Sequence, residues 1–370
     1  FFFKQKTAYE ISTRDWSSDV CSSDLFNSKI QVMIDLRSDT VTMPTLEMRE
    51  FMSNAPVGDD VFSEDPTVNE LEAYACQIFN KEAALFCSSG TQTNQIAIMI
   101  HTTPGGEVIC HEDSHVYKYE GGGIARNSHA SVKLLSGNRG RIKASQLPEA
   151  MNNPLDVHLP LTQLVSIEDT ANRGGGAVYD LEEIKNIYTF CKEKRLPLHL
   201  DGARIFNALA VNKMNLQEYA SYFDSISICL SKGLGAPIGS ILLGSNDFIH
   251  AARRARKVLG GGMRQAGIIA AGGLYALKNH RDRISEDHAH AKQLESALFG
   301  LSWVEEILPV ETNIVVVKIE DSFPRDLMIE KLKNNGILCI AFGPQMIRFV
   351  THLNISSSDI ETCTTLFKKL

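Results

Sequence analysis

The chain has 370 residues, enough for two domains and a large core, with 44% hydrophobic and 22% charged residues. Its net charge of -7 gives no electrostatic reason to expect nucleic acid, and no apolar run approaches the length of a bilayer. The eight cysteines form no Cys-x-x-Cys pair and no finger spacing, and Cys87, Cys110, Cys229 and Cys339 lie in apolar runs, so a soluble cytosolic enzyme with reduced core thiols is expected.

The first 32 residues are polar, serine-rich and aperiodic after three phenylalanines, and they lack the apolar core of a signal peptide. We expect residues 1–32 to be a non-native extension without function, with Met33 as the true start. Residues 33–42 (MIDLRSDTVT) are too sparse in apolar positions for a core helix and read as an arm laid over another surface. Residues 58–66 form a loop. Asp65 then caps a helix with Pro66 at its first position. Val68, Leu71, Ala75, Ile78 and Phe79 give that helix an apolar stripe.

A strand is predicted over 83–87, then the turn Ser88-Ser89-Gly90 and a helix over 91–100. A strand over 107–110 feeds HEDSHVYKYEGGG, read as a loop. A strand over 164–168 leads to the loop DTANRGGG. Asp180 opens a helix, with Glu183 at capping-box spacing. A strand over 196–200 ends in Asp201-Gly202-Ala203-Arg204. Strands alternating with helices imply a parallel sheet. Beyond about residue 280 the pattern changes: helix 285–301, strand 312–319, helix 325–335, strand 346–350 and helix 359–370 read as a smaller α+β domain.

The segment SICLSKGLGAPIGS (227–240) places Lys232 just beyond a buried strand, on a loop that Pro237 and the glycines keep from becoming a helix. In open α/β folds the binding crevice lies outside the carboxyl ends of strands, where a partly desolvated lysine can attack a carbonyl carbon. Ser88-Ser89-Gly90-Thr91, between strand and helix, suits a phosphate but is common for geometry alone. Asp201 could ligate metal, cap the next helix or pair with a cationic ring nitrogen. Arg204 could neutralise it or serve an anionic ligand. His111 and His115 lie four apart, but the loop context argues against a shared metal. Arg348, among apolar neighbours, needs either a structural carboxylate or a substrate carboxylate. Taken together, lysine, aspartate, phosphate turn and arginine suit pyridoxal phosphate, with His115 the candidate to stack on its ring.

Many ordered segments (MIDLRSDTVT, PVGDD, DPTVNELE, SSGTQTNQ, HLDGARIFNA, CLSKGLGAPIGS, GGGMRQAG, YALKN, RFVTHLN) resemble the low-specificity L-threonine aldolases. These are pyridoxal-phosphate enzymes of fold type I, the aspartate-aminotransferase group. The resemblance covers residues from Met33 to the C-terminus. It implies a large domain, residues 33–280, with a mostly parallel seven-stranded sheet, and a small α+β domain, residues 281–370. It makes Lys232 the lysine that holds the cofactor aldehyde and Asp201 the partner of the pyridine nitrogen, with Arg204 near the ring hydroxyl. Gly90 and Thr91 hold the phosphate, His115 stacks on the ring and is a candidate base, and Ser38 and Arg348 bind the substrate carboxylate. Lys257 and Arg264 reach a neighbouring subunit's cofactor phosphate in a homotetramer with shared active sites. No metal, membrane or nucleic-acid partner is implied.

The implied reaction is retro-aldol cleavage of L-threonine or L-allo-threonine to glycine and acetaldehyde. This chain has Ala171 where the family often has a histidine that contacts the substrate hydroxyl, and Phe62 where it often has tyrosine. Two alternatives stay open: a β-eliminating lyase or an aldolase for bulkier β-hydroxy amino acids, and a cofactor-binding homologue without catalysis.

Overall fold

In the computed structural model, which describes residues 33–370, the short apolar runs assemble one seven-stranded sheet. The extension 1–32 lies outside the described residues. Across the sheet the order is Ala83–Cys87, Ser240–Gly244, Ser225–Cys229, Leu198–Asp201, Thr162–Glu168, Glu107–His111, Ser131–Leu135. Only Ser240–Gly244 runs antiparallel to its neighbours. Four of these strands are buried at every position, as expected for strands covered on both faces. Successive side chains serve opposite layers: Ile241 and Leu243 join the main core, while Leu242 packs with Leu85, Ile96 and Phe248.

The helices begin where the sequence chemistry places them. Asp65 accepts from the N–H groups of Thr67 (3.1 Å) and Val68 (3.0 Å) and so starts Pro66–Phe79. Its other oxygen takes Gly267 N–H at 2.8 Å, and a Cβ on Gly267 would stand 2.5 Å from Asp65. Asp180 caps Leu181–Lys194, but the expected capping box is absent. Glu183 accepts instead from Ala144 N–H at 2.7 Å, because that loop brings it an unpaired donor.

The loop expected over 111–123 is corrected too. It holds two short helices, His115–Lys118 and Gly123–Ser128, and the last of its three glycines opens the second.

The C-terminal part builds a four-stranded antiparallel sheet in the order Ile340–Gly343, Met346–Val350, Ile314–Ile319, Val304–Ile307. Its own core includes Trp303, Phe349 and Phe367. The arm is stitched to this part. Ile34–Asp35 pairs in parallel with Ile337–Leu338, Val350 N–H donates to Leu36 C=O at 2.8 Å, and His352 donates to Asp35 C=O at 2.9 Å. Residues Ile34–Leu370 cluster as one unit.

Candidate active site

The site is built where parallel strands end: Asp201 and Glu168 are the last residues of neighbouring strands, while Lys232 and Gly90 stand three residues beyond Ser225–Cys229 and Ala83–Cys87. Asp201 lies in register with Ser227 of the adjacent parallel strand. The lysine's loop is held from both sides. Leu230 and Leu234 are buried, Leu230 N–H donates to Gly239 C=O at 3.0 Å, and His280 donates to Leu234 C=O at 2.7 Å. Gly235 adopts φ +78° in the turn after Lys232, a conformation that suits glycine. Lys232 itself is half-buried.

Asp201 is buried. Its oxygens accept from Ala203 N–H at 3.2 Å and from the Asn94 amide at 2.9 Å. The same Asn94 nitrogen donates to Glu120 at 2.9 Å, and Glu120 accepts in turn from His115 Nδ1 at 2.9 Å. His115, Glu120 and Asp201 converge, with contacting atoms within 4.8 Å of one another. Among the described residues this is also a grouping of three potential metal donors, in which Glu120 accepts from His115 and Asn94, and Asp201 from Asn94 and Ala203. Burial opposes charge on His115, yet Glu120, Asp201 and Glu168 together hold its pKa above the ordinary 6.5. Glu168, at the end of the next strand, accepts His115 N–H (2.8 Å) and Asn172 N–H (2.9 Å). Burial and the nearby Asp201 carboxylate raise its pKa.

Arg204 does not neutralise Asp201. Its guanidinium makes a two-point bond to Asp39 of the arm, 2.7 Å at each contact, with both residues buried. Burial alone would raise the Asp39 pKa, but Arg204, with Lys232 and Arg348 further out, holds it well below the carboxylate range. Among the described residues Arg348 has no carboxylate partner. It donates to Asn172 Oδ1 at 3.0 Å and to Arg37 C=O at 3.1 Å, and its buried Nε has no partner among the described residues. Burial, then the charge of Arg204, lowers its pKa to about 10. Ser38 lies between Arg37 and Asp39 and caps the turn Asp39–Val41.

At the start of Gly90–His101, Ser89 caps Gln92 N–H. The helix-opening N–H groups of Gly90 and Thr91 precede any intrahelical acceptor, and a Cβ on Gly90 would stand 3.7 Å from Ser240 Oγ. That hydroxyl is buried and has no partner among the described residues.

Residues 35–322 match the family profile described as beta-eliminating lyase. The chain belongs to the beta-eliminating lyase family. It is 42% identical over 329 residues to the low specificity L-threonine aldolase of Escherichia coli (strain K12), covering 89% of this chain and 96% of that protein. It is 39% identical over 346 residues to the probable low-specificity L-threonine aldolase 2 of Arabidopsis thaliana, covering 91% and 97%. Among solved structures it is similar to the Leishmania major threonine aldolase, with TM-score 0.80 at 22% identity over 91% of this chain and 99% of that one. A structure of SPT with PLP aligns at TM-score 0.72 and 16% identity, over 91% of this chain and 87% of that one.

Four further residues that the sequence singles out make no side-chain bond to this cluster. Arg264 donates to Asp59 at 3.0 Å, and Lys257 is exposed at the end of Asn246–Val258. Neither bonds to Lys232, Asp201 or Arg348. The loop between Lys257 and Arg264 leans on the phosphate-type turn, since a Cβ on Gly261 would stand 2.3 Å from Gln92 Nε2. Phe62 is 69% exposed, and Ala171 is buried with its methyl against Gly140.

Sequence reasoning missed Asp39, Asn94, Glu120, Glu168 and the buried pair of Asp60 with Arg256 (2.7 Å). Glu120 stands just before the three glycines and Asp39 inside the arm motif, so both lay in segments already singled out.

Proposed function

We propose that this chain is a pyridoxal-phosphate-dependent aldolase that cleaves L-threonine and L-allo-threonine to glycine and acetaldehyde. The observation that carries the reading is that Asp201 ends, and Lys232 follows, adjacent parallel strands, with His115 close to Asp201 and the start of the helix Gly90–His101 close to the Ser240 hydroxyl, which has no partner among the described residues.

The residues fit the cofactor. Gly90, Thr91 and Ser240 would hold its phosphate, with the positive end of the helix behind them. Lys232 would hold its aldehyde, Asp201 its ring nitrogen, and His115 its ring face. When bound, pyridoxal phosphate supplies an electron sink for the charge left on Cα after the Cα–Cβ bond breaks.

The chain's own groups do the rest. Arg348 is buried without a carboxylate and takes that of the substrate, assisted by Ser38. This clamp orients the bond to be cleaved. Arg204, saturated by Asp39, fixes the arm that delivers Ser38, which restricts the direct ring-hydroxyl contact expected of it. His115 commits Nδ1–H to Glu120, so in its neutral form Nε2 carries the lone pair that can take the β-hydroxyl proton. Lys257 and Arg264 belong to the same proposal as residues shared across a homotetramer, supported by their exposure and their place near Gln92. A cytoplasmic location and the division at about residue 280 are further parts of it, the latter supported by the two separate sheets.

The β-eliminating alternative keeps the same residues and changes the bond broken. Incubation with L-threonine, L-allo-threonine and phenylserine tests both. Glycine plus aldehyde is expected; ammonia plus a keto acid would favour elimination.

A further inference from the structure

One line of buried side chains leads away from Asp201 through the sheet, and its hydrogen-bond directions can be worked out atom by atom. Asn94 lies in the interior of the helix Gly90–His101 and is 1% exposed. One of its amide atoms faces two carboxylates, Asp201 and Glu120, at 2.9 Å each. Only an NH2 group can do so, and the amide orientation is thereby set. Its oxygen must then point the other way, where His199 Nε2 lies at 3.1 Å. An amide oxygen only accepts, so His199 carries its proton on Nε2. Burial pushes the His199 pKa down to about 3, so the ring is neutral above that and holds a single proton. Its Nδ1 is bare and accepts from Ser225 Oγ at 2.8 Å. With its one hydrogen spent, Ser225 accepts from His101 Nε2 at 2.8 Å.

Every bond in this chain, from His101 to Asp201, donates toward Asp201. Asp201 and Glu120 sit close together, and two buried carboxylates at that separation repel unless a donor lies between them. The Asn94 NH2 is that donor. It also connects the two halves of the site: Asp201 beneath the ring position, and Glu120, which sets the tautomer of His115. We propose that Asn94, locked by the Nε2–H tautomer of His199, is the shared positioning residue for Asp201 and for the Glu120–His115 pair. The proposal rests on the reading of Asp201 and His115 as groups that face the cofactor.

The test uses the cofactor-free protein and two readouts. Long-range 1H–15N NMR reports the histidine tautomers directly: His199 is expected as neutral Nε2–H and His115 with its proton on Nδ1. Affinity for pyridoxal phosphate is then compared in His199→Gln, whose amide nitrogen can stand at Nε2, and in His199→Asn, whose amide stands nearer Nδ1. The glutamine variant should retain affinity to within about threefold, while His199→Asn and Asn94→Leu should lose about tenfold or more. An Nδ1–H tautomer at His199, or equal losses in the two His199 variants, would overturn the proposal. If Asn94→Leu does not fold, as judged by circular dichroism, the His199 pair and the NMR tautomers decide. A parent protein with no affinity for pyridoxal phosphate would sink the functional reading, and the tautomers would still decide how Asn94 is oriented.

Discussion

Asp39 and Arg204, 165 residues apart in sequence, form a buried two-point ion pair that ties the N-terminal arm to the strand ending in Asp201. Removing one partner leaves the other charged and buried. Asp39→Ala should therefore destabilise the protein by about 3–5 kcal/mol in urea unfolding. A change below about 1 kcal/mol would mean that Arg204 finds water or another partner.

The same pair sets an acid limit. The Asp39 pKa is depressed in the folded state relative to the ordinary 3.8. Its contribution is fully present above that value and is lost as pH falls through it toward the folded pKa. Stability measured by denaturant at falling pH should drop more steeply in the parent than in Asp39→Asn.

Asp169 behaves in the opposite sense. It is buried against the Tyr219 hydroxyl and Tyr179 N–H, and burial pushes its pKa up to about 7. Between about 4 and 7 the folded state binds the proton that the unfolded state has released, so stability falls as pH rises. Asparagine can keep both bonds without the charge. Asp169→Asn should match the parent near pH 4 and exceed it by about 1–3 kcal/mol above pH 7. Equal stability at pH 8 would contradict this.

Arg348 is expected to act on substrate binding. Arg348→Lys keeps the charge but loses the fork, and should raise KM about tenfold or more with a smaller change in kcat. An unchanged KM for L-threonine would remove Arg348 from the carboxylate site.

As the proposed base, His115 can act only when neutral. Since its pKa is raised, the acid limb of kcat/KM should lie above pH 6.5. Glu120→Gln removes the carboxylate that holds the proton on Nδ1. The limb should then move to lower pH and the plateau fall by about 10²-fold. A fall in rate with no movement of the limb would assign the base elsewhere.

Much of the site was legible because its residues sit where apolar runs stop. Lys232, Asp201 and Gly90 follow strands that read plainly as short buried stretches. The strands Ser131–Leu135 and Ser240–Gly244 were not anticipated. The first is a half-exposed edge strand, and the second follows the lysine loop within a single residue of a glycine. The carboxylates were harder to read. Asp39, Glu120 and Glu168 matter through partners that are distant in sequence or across a turn, and nothing in local periodicity announces which carboxylate will meet which donor. Glu183 shows the limit clearly: its spacing fits a capping box, yet a neighbouring loop supplies a better use for it.

The most direct measurement is to incubate the purified protein with pyridoxal phosphate, reduce it with borohydride and locate the modified residue by peptide mass analysis. A stoichiometric adduct on Lys232, absent in Lys232→Ala together with nearly all turnover, is the expected result. An adduct on another lysine, or threonine cleavage that survives in Lys232→Ala, would contradict it.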